Sequence, residues 1–156
     1  MQIAIAADHA GYPLKAQLAD WLSAHGHTVV DLGVESAATP ADYPDVAARV
    51  AEAVLEGQAE RAILLCGSGI GASIAANKFR GVYAAVCHDV YSAHQGVEHD
   101  RMNVLCLGAR VIGPALAEEL TAAFVNAQPS SEDRHARRFG KVQAIERGEN
   151  GPAAGG

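Results

Sequence analysis

Short apolar runs alternate along the chain with segments in which hydrophobic residues recur every three or four positions. A short apolar run bounded by polar or glycine-rich residues is typical of a buried β-strand. The pattern therefore predicts five strands, which are Gln2–Ala7, Thr28–Leu32, Ala62–Cys66, Val82–Cys87 and Val104–Leu107.

The longer segments carry the periodicity of amphipathic helices. In the first of them, Leu14, Leu18 and Leu22 recur on one face, and Gly26 marks the end. The predicted helices are Pro13–His25, Asp45–Glu56, one that begins in the glycine-rich segment Gly67–Lys78, a short one from Tyr91, Pro114–Ala127 and Arg134–Arg147. We predict a loop over His99–Met102 and a disordered tail over Gly148–Gly156.

Strict alternation of strands and helices indicates an α/β fold with a parallel sheet covered by helices on both faces. Right-handed crossovers make such a sheet doubly wound, so we expect one Rossmann-like domain over residues 1–147 with five parallel strands. Ligands of these folds bind at the carboxyl ends of the strands. The residues with reactive or charged side chains that follow strands here are Asp8, His9, Cys66, His88, Asp89 and Arg110.

Composition narrows the class of ligand. The chain of 156 residues is 49% hydrophobic but only 5% aromatic, so Ala, Val, Ile and Leu must build the core. A net charge of −6 disfavours nucleic acid as the main partner. Basic residues nevertheless concentrate in the last third, among them Arg134, Arg137, Arg138 and Lys141, and such a local cluster suits a small phosphorylated ligand.

Three further features concern compartment and cofactors. The first residues have no basic leader, and their apolar run is too short for a membrane span, so we expect a cytoplasmic protein that does not contact a membrane. Cys66, Cys87 and Cys106 form an odd set without a CxxC pair, which argues against a disulfide framework. His94 and His99 lack the four-residue spacing of helical metal ligands, and we expect neither a metal nor another cofactor.

The sharpest local motif is Cys66-Gly67-Ser68-Gly69-Ile70-Gly71 at the end of the third predicted strand. Its glycines let the backbone approach a ligand and turn several N–H groups toward one point. A dinucleotide fingerprint fits Gly67, Gly69 and Ala72 formally, but it follows the third strand rather than the first. A Walker A loop is excluded because Ala-Ser follows Gly71. The third alternative is an oxyanion hole beside a reactive thiol.

The same motif leaves the role of its cysteine open. The positive end of the following helix would favour the thiolate of Cys66, which is then able to act as a base. Alternatively, Cys66 is a small buried hydrophobic residue at a strand end, as free cysteines often are. For Cys87 and Cys106, which have no such loop, the second interpretation is favoured.

Other candidates have equally ordinary alternatives. Asp8 and His9 would bind or protonate sugar oxygens, or Asp8 caps a turn while His9 is solvated. His99 would be a general acid, or a solvated surface residue. Arg134 and Arg138 lie one helical turn apart and suit a phosphate dianion, unless they only pair with Glu132 or Asp133.

Taken in order, these motifs resemble the type B ribose-5-phosphate isomerase family, which includes galactose- and allose-phosphate isomerases. The resemblance spans roughly residues 1–147. Its marks are Asp8-His9-Ala10-Gly11, Asp42-Tyr43-Pro44, Cys66-Gly67-Ser68-Gly69-Ile70-Gly71, Ser73-Ile74-Ala75-Ala76-Asn77-Lys78, Asn103-Val104-Leu105 and Arg134-His135-x-x-Arg138. Some family members use a Glu where this chain has Ala72, and the cysteine of this chain assigns it to the other branch.

The resemblance implies a role for each part of the site. Cys66 would move a proton between C2 and C1, and the Gly67–Gly71 amides would hold an enediolate oxygen with Ser68 nearby. His99 would open the furanose ring with help from Asp8. The remaining implied substrate contacts are His9, Tyr43, Arg110, Arg134 and Arg138. Family members are homodimers or tetramers, in which His99 and its neighbour Asp100 reach into the partner's site.

One position departs from the family pattern. The family usually has Asn after the histidine, whereas this chain has Asp100. An ionised Asp accepts hydrogen bonds but donates none. We therefore expect an aldose–ketose isomerase whose substrate is ribose 5-phosphate or another aldose phosphate, with a non-catalytic sugar-phosphate or nucleotide sensor as the alternative.

Overall fold

The computed structural model describes residues 1–149 and contains one five-stranded sheet. The strands are β1 (Gln2–Ala7), β2 (Thr28–Asp31), β3 (Arg61–Cys66), β4 (Ala84–Val86) and β5 (Val104–Gly108). Neighbouring strands are all parallel, and their order across the sheet is β2-β1-β3-β5-β4. The expected class, an α/β domain with a five-stranded parallel sheet, is confirmed.

Helices cover both faces of this sheet. They are α1 (Tyr12–Ala24), α2 (Tyr43–Leu55), α3 (Ile70–Ala76), α4 (Val90–Asp100), α5 (Pro114–Asn126) and α6 (Asp133–Glu146). Prolines in the first turns of α1, α2 and α5 suit the position where no intrahelical N–H bond is needed. Most boundaries lie within one or two residues of those predicted.

Side-chain alternation along the strands divides the core into two layers. Ile3 and Ile5 of β1 face the side covered by α1, α4 and α5, where Leu18 and Phe124 are fully buried. Ala4 and Ala6 face the opposite side, which α2 and α3 cover with small and β-branched residues. Two buried faces explain why β1 and β3 are apolar at almost every position.

The fourth strand is shorter than predicted, because side-chain amides replace part of its backbone pairing. The Tyr83 N–H donates to Asn103 Oδ1 over 2.8 Å, and Asn103 Nδ2 donates to the Gly81 carbonyl oxygen. At the edge of the sheet, Asn77 Oδ1 accepts from the Ala84 N–H while Asn77 Nδ2 donates to the Ala84 carbonyl. Regular pairing therefore begins only at Ala84.

The predicted loop over His99–Met102 is wrong at its first two residues, since α4 continues through Asp100. Only Ala93 and Val97 of this helix are buried, so its apolar periodicity is sparse. The helix ends when Arg101 adopts a left-handed conformation with φ 54°, and the Met102 N–H donates to the Gly96 carbonyl oxygen. Glycine usually occupies that position, so the sequence carries no ordinary stop signal there.

The C-terminal helix α6 packs on α4, and His135 is its one buried residue. Its end is attached to the loop before β4, because Glu146 Oε1 accepts from the Gly81 N–H and Oε2 accepts from the Tyr83 hydroxyl. The predicted tail, Gly148–Gly156, lies outside the described residues from position 150 onward. Within residues 1–149, no helix has both the length and the apolar character that a membrane crossing requires.

Candidate active site

A cleft of about 350 Å³ lies at the carboxyl ends of β1 and β3. It is lined by Asp8, Tyr43, Cys66, Gly67, Ser68, Gly71, Arg110 and Val111. Seven of these eight residues are candidates from the sequence, and Val111 is the one addition. The parallel sheet brings them together because its strands all end on the same side.

Cys66 is the last residue of β3, and its side chain is almost completely buried at the floor of the cleft. The Gly69 N–H donates to Cys66 Sγ, with 3.1 Å between nitrogen and sulfur. Gly69 achieves this with a φ of 82°, a left-handed conformation that side chains other than glycine's rarely adopt, immediately before α3. The glycine-rich loop thus directs a main-chain donor at the thiol.

The rest of this loop is held from two sides. The Ile70 N–H donates to Ser68 Oγ over 3.3 Å. A Cβ on Gly71 would lie 2.7 Å from the Tyr43 ring, so only glycine lets Tyr43 approach the loop so closely. The Arg110 N–H donates to the Gly67 carbonyl oxygen, and the Arg110 side chain lies over Gly67.

The two candidates that follow β1 are placed differently, since Asp8 lines the cleft and His9 does not. Asp8 is 8% exposed, and its Oδ1 accepts from the N–H groups of Ala10 and Gly11 at 2.9 and 3.0 Å. It is therefore a turn cap and a cleft-lining carboxylate at once. His9, the next residue, is exposed.

A second cluster of candidates lies on α4 and α6. His99 Nδ1 is 2.7 Å from Gln95 Nε2, and its ring packs on His135 with 3.8 Å between ring centroids. Burial, followed by the charges of His99 and Arg134, lowers the pKa of His135. Asp100 lines a separate cavity of about 500 Å³ beside β4.

The arginines of α6 are at the surface of this cluster. Arg134 Nε lies 2.7 Å from Glu132 Oε2, so the local pairing considered from the sequence does occur. Arg138 is exposed. His99, Asp100, Arg134 and Arg138 are all absent from the lining of the Cys66 cleft. Within the described chain, the candidates therefore form two groups rather than one pocket.

The other two cysteines differ from Cys66 in their surroundings. Burial raises the pKa of the Cys87 thiol to about 11, and burial likewise raises that of Cys106, which has no exposed surface. Cys87 and Cys106 are therefore neutral thiols that pack in the core. Across residues 1–149 there is no group of three His, Cys, Asp or Glu side chains arranged to hold a metal ion.

Two structurally important histidines received no role from the sequence. The sequence marks His135 only as part of the Arg134-His135-x-x-Arg138 motif. In the structure, His135 is the residue of α6 that is buried, and its ring packs on His99. His88 Nε2 accepts a hydrogen bond from the Gly108 N–H behind the cleft. The position of His88 at the carboxyl end of a strand was the available signal.

Known proteins resemble this chain in sequence and in fold. The sequence profile of the family described as "Ribose/Galactose Isomerase" matches residues 3–142. The chain belongs to the ribose/galactose isomerase family.

Relatives within the family carry names of more than one activity. Ribose-5-phosphate isomerase B of Escherichia coli is 42% identical, over 96% of this chain and 99% of its own length. D-erythrulose-4-phosphate isomerase of Pectobacterium atrosepticum is 45% identical, over 82% and 84%. The structure of Clostridium thermocellum ribose-5-phosphate isomerase B superposes with a TM-score of 0.91 and 43% identity, covering 96% of this chain and all of that one. The chain is thus a sugar-phosphate isomerase of the aldose–ketose type.

Proposed function

We propose that this isomerase interconverts ribose 5-phosphate and ribulose 5-phosphate through a cis-enediolate, with Cys66 as the base. The observation that carries the assignment of the base is the 3.1 Å contact from the Gly69 amide to Cys66 Sγ at the floor of the cleft. A main-chain donor stabilises a thiolate without any side-chain charge. The names of the Escherichia coli and Clostridium thermocellum relatives support the substrate.

The proposed chemistry is a proton transfer between neighbouring carbons. Cys66 removes the proton from C2 of the open-chain aldose, and the electrons of that C–H bond form the enediolate double bond as the carbonyl oxygen gains charge. N–H groups of the segment Gly67–Gly71, with Ser68 nearby, stabilise that oxygen. Oxyanion donors of this kind contribute about 3–4 kcal/mol to a transition state. Within the cis-enediolate, the hydroxyl proton on O2 passes to O1. Cys66 then returns its proton to C1 as the C2 carbonyl forms, so atoms and charge balance without a cofactor or metal.

Ring opening and phosphate binding require the second group of candidates together with residues of the cleft. We assign ring opening to His99 with Asp8, and the phosphate to His9, Arg110, Arg134 and Arg138, while Tyr43 and Asp100 contact the sugar. In one chain, His99 and the α6 arginines do not line the Cys66 cleft. A homodimer, or a tetramer of such dimers, would bring the two groups together. In it, α4 and α6 of one subunit complete the cleft of the partner subunit.

Exposed apolar side chains on α3, on α4 and in the cleft-lining loop after β5 support this assembly. Ile70, Ile74, Tyr91 and Val111 are each more than half exposed. An apolar surface of this kind next to a binding cleft is typical of a protein interface. We place this domain, residues 1–147, in the cytoplasm, consistent with three free cysteines.

A second substrate has specific support. The Pectobacterium atrosepticum relative is named for D-erythrulose 4-phosphate, and Asp100 replaces the amide that this family usually has. A panel of tetrose, pentose and hexose phosphates, assayed for proton exchange in heavy water, distinguishes these substrates. Binding of a sugar phosphate without exchange would instead support the sensor alternative, and unchanged turnover with a strong chelator is expected for a metal-free reaction.

Substitution of Cys66 tests the base directly. Cys66→Ala should lower kcat by about 10³-fold or more, as for loss of a general base, while the Kd for the sugar phosphate changes little. Cys87→Ala is the matched control, because it removes a buried thiol on which the proposal places no catalytic role. Full activity of Cys66→Ala would remove Cys66 from the mechanism.

A further inference from the structure

The imidazole of His88 supports the active-site loop from behind. His88 follows β4, is partly buried, and accepts a hydrogen bond at Nε2 from the Gly108 N–H over 3.0 Å. A backbone amide can only donate, so Nε2 must be the unprotonated ring nitrogen and Nδ1 must carry the hydrogen. The contact therefore requires the neutral ring in one tautomer.

Gly108 is the residue that joins this contact to the catalytic loop. It pairs in register with Cys66 across β3 and β5. A Cβ at Gly108 would lie 2.6 Å from the Ser68 carbonyl oxygen, and one at Gly69 would lie 3.3 Å from the Gly108 nitrogen. The backbones of the two turns are thus in direct contact.

Residues after Gly108 hold the same loop by hydrogen bonds. The Ala109 N–H donates to the Cys66 carbonyl oxygen over 2.9 Å, and the Arg110 N–H donates to the Gly67 carbonyl oxygen over 3.0 Å. A shift of Gly108 would consequently move both the residue that carries the thiol and the loop that donates to it. Of the N–H groups of Gly108, Ala109 and Arg110, that of Gly108 donates to a titratable side chain, whereas the other two donate to carbonyl oxygens.

We propose that His88 is a positioning residue for the isomerisation: its neutral ring fixes Gly108, and Gly108 in turn fixes the Gly69 amide against Cys66 Sγ. This proposal rests on the proposed role of Cys66 as the base. It assigns His88 no contact with substrate. Small displacements of a catalytic group reduce the rate strongly. The His88 ring can therefore affect turnover although it lies outside the cleft.

Two substitutions separate positioning from packing. His88→Gln places an acceptor oxygen at a similar distance from Cα, whereas His88→Leu fills similar volume without an acceptor. We expect His88→Leu to lower kcat by about 10–100-fold with KM changed less than about threefold. His88→Gln should restore most of that loss. Glu60→Leu is the matched control, because it removes the acceptor of another backbone N–H, that of Gln2, at the amino end of β1 and away from the cleft.

A second measurement does not depend on turnover. The rate at which iodoacetamide alkylates Cys66, followed by peptide mass spectrometry, should change about tenfold or more in His88→Leu and remain close to wild type in His88→Gln and Glu60→Leu. Wild-type rates of both alkylation and turnover in a folded His88→Leu variant would overturn the proposal. If the wild-type chain turns over no sugar phosphate, the proposed function fails, and alkylation alone then decides whether His88 positions the loop.

Discussion

The buried side chain of Arg61 caps the C-terminal end of α5. It opens β3 and is 8% exposed, and its guanidinium donates to the carbonyl oxygens of Phe124, Val125 and Ala127 at the end of α5. The helix supplies no intrahelical partners for those oxygens. Burial lowers the pKa of Arg61, although an arginine at neutral pH remains charged.

Arg61→Met should therefore destabilise the protein by about 2–3 kcal/mol, since it leaves three carbonyl groups without a charged donor. Urea unfolding measures this loss. Arg80→Met is the control, because Arg80 also donates to a carbonyl at a helix end, that of Glu146, but is exposed. Equal destabilisation by the two substitutions would contradict the role of burial.

At the residue scale, the sequence predicted which residues line the cleft better than it predicted the contacts between them. Cys66, Ser68 and Arg110 lie in the cleft where strand ends were expected to meet. The contact of Gly71 with Tyr43 joins residues almost 30 positions apart, and no local pattern encodes such an approach. The capping role of Asp8 was one of two alternatives, and a single carboxylate performs it while also lining the cleft.

At the scale of elements, two imidazoles pack together where α4 meets α6. His135 is buried against His99, and burial together with the neighbouring charges of His99 and Arg134 lowers the pKa of His135. The unfolded chain takes up this proton near the ordinary histidine pKa of about 6.5, whereas the folded chain resists it. The unfolded state then binds more protons, so stability falls as pH falls.

Lowering the pH from 7.5 to 5.5 should reduce the Tm of the wild-type chain, and His135→Gln should make that reduction smaller. Part of the dependence will remain, because burial also lowers the pKa of His27. His94→Gln, a substitution on the partly exposed face of α4, serves as the control. An identical pH dependence in His135→Gln and the wild type would contradict this account.

The same elements show where the sequence was insufficient. All five strands were predicted from short apolar runs, although only β1, β3 and β5 are buried along most of their length. By contrast, α4 buries only Ala93 and Val97, and it ends at an arginine rather than a glycine. The start of β4 depends on Asn77 and Asn103, which lie 7 and 20 residues away from their partners. Hydrogen bonds between asparagine side chains and the backbone thus set the start of β4, and the backbone conformation of Arg101 sets the end of α4.

At the scale of the whole molecule, the proposed site is divided between two surfaces of one chain. In the proposed dimer, the His99 cluster of one copy completes the Cys66 cleft of the other. Sequence patterns predict which residues are chemically capable, but the distance between them follows from how helices pack on the completed sheet.

Complementation between inactive variants tests that division. Cys66→Ala and His99→Asn should each be almost inactive, and their co-expression should restore about a quarter of wild-type activity, because half of the dimers are hybrids with one intact site each. Size-exclusion chromatography with light scattering should show dimers or tetramers throughout. Failure to recover activity from hybrid dimers isolated by two affinity tags would refute shared sites.

The side-chain amide of Asn77 has a consequence for how copies of this protein can associate. It occupies both polar backbone groups of Ala84 at the margin of a strand only three residues long. An unprotected margin invites another polypeptide to add a strand and so begin aggregation. Here the Asn77 side chain occupies the backbone groups with which an added strand would pair. Copies of this protein can therefore associate along β4 through side chains but not by extending the sheet.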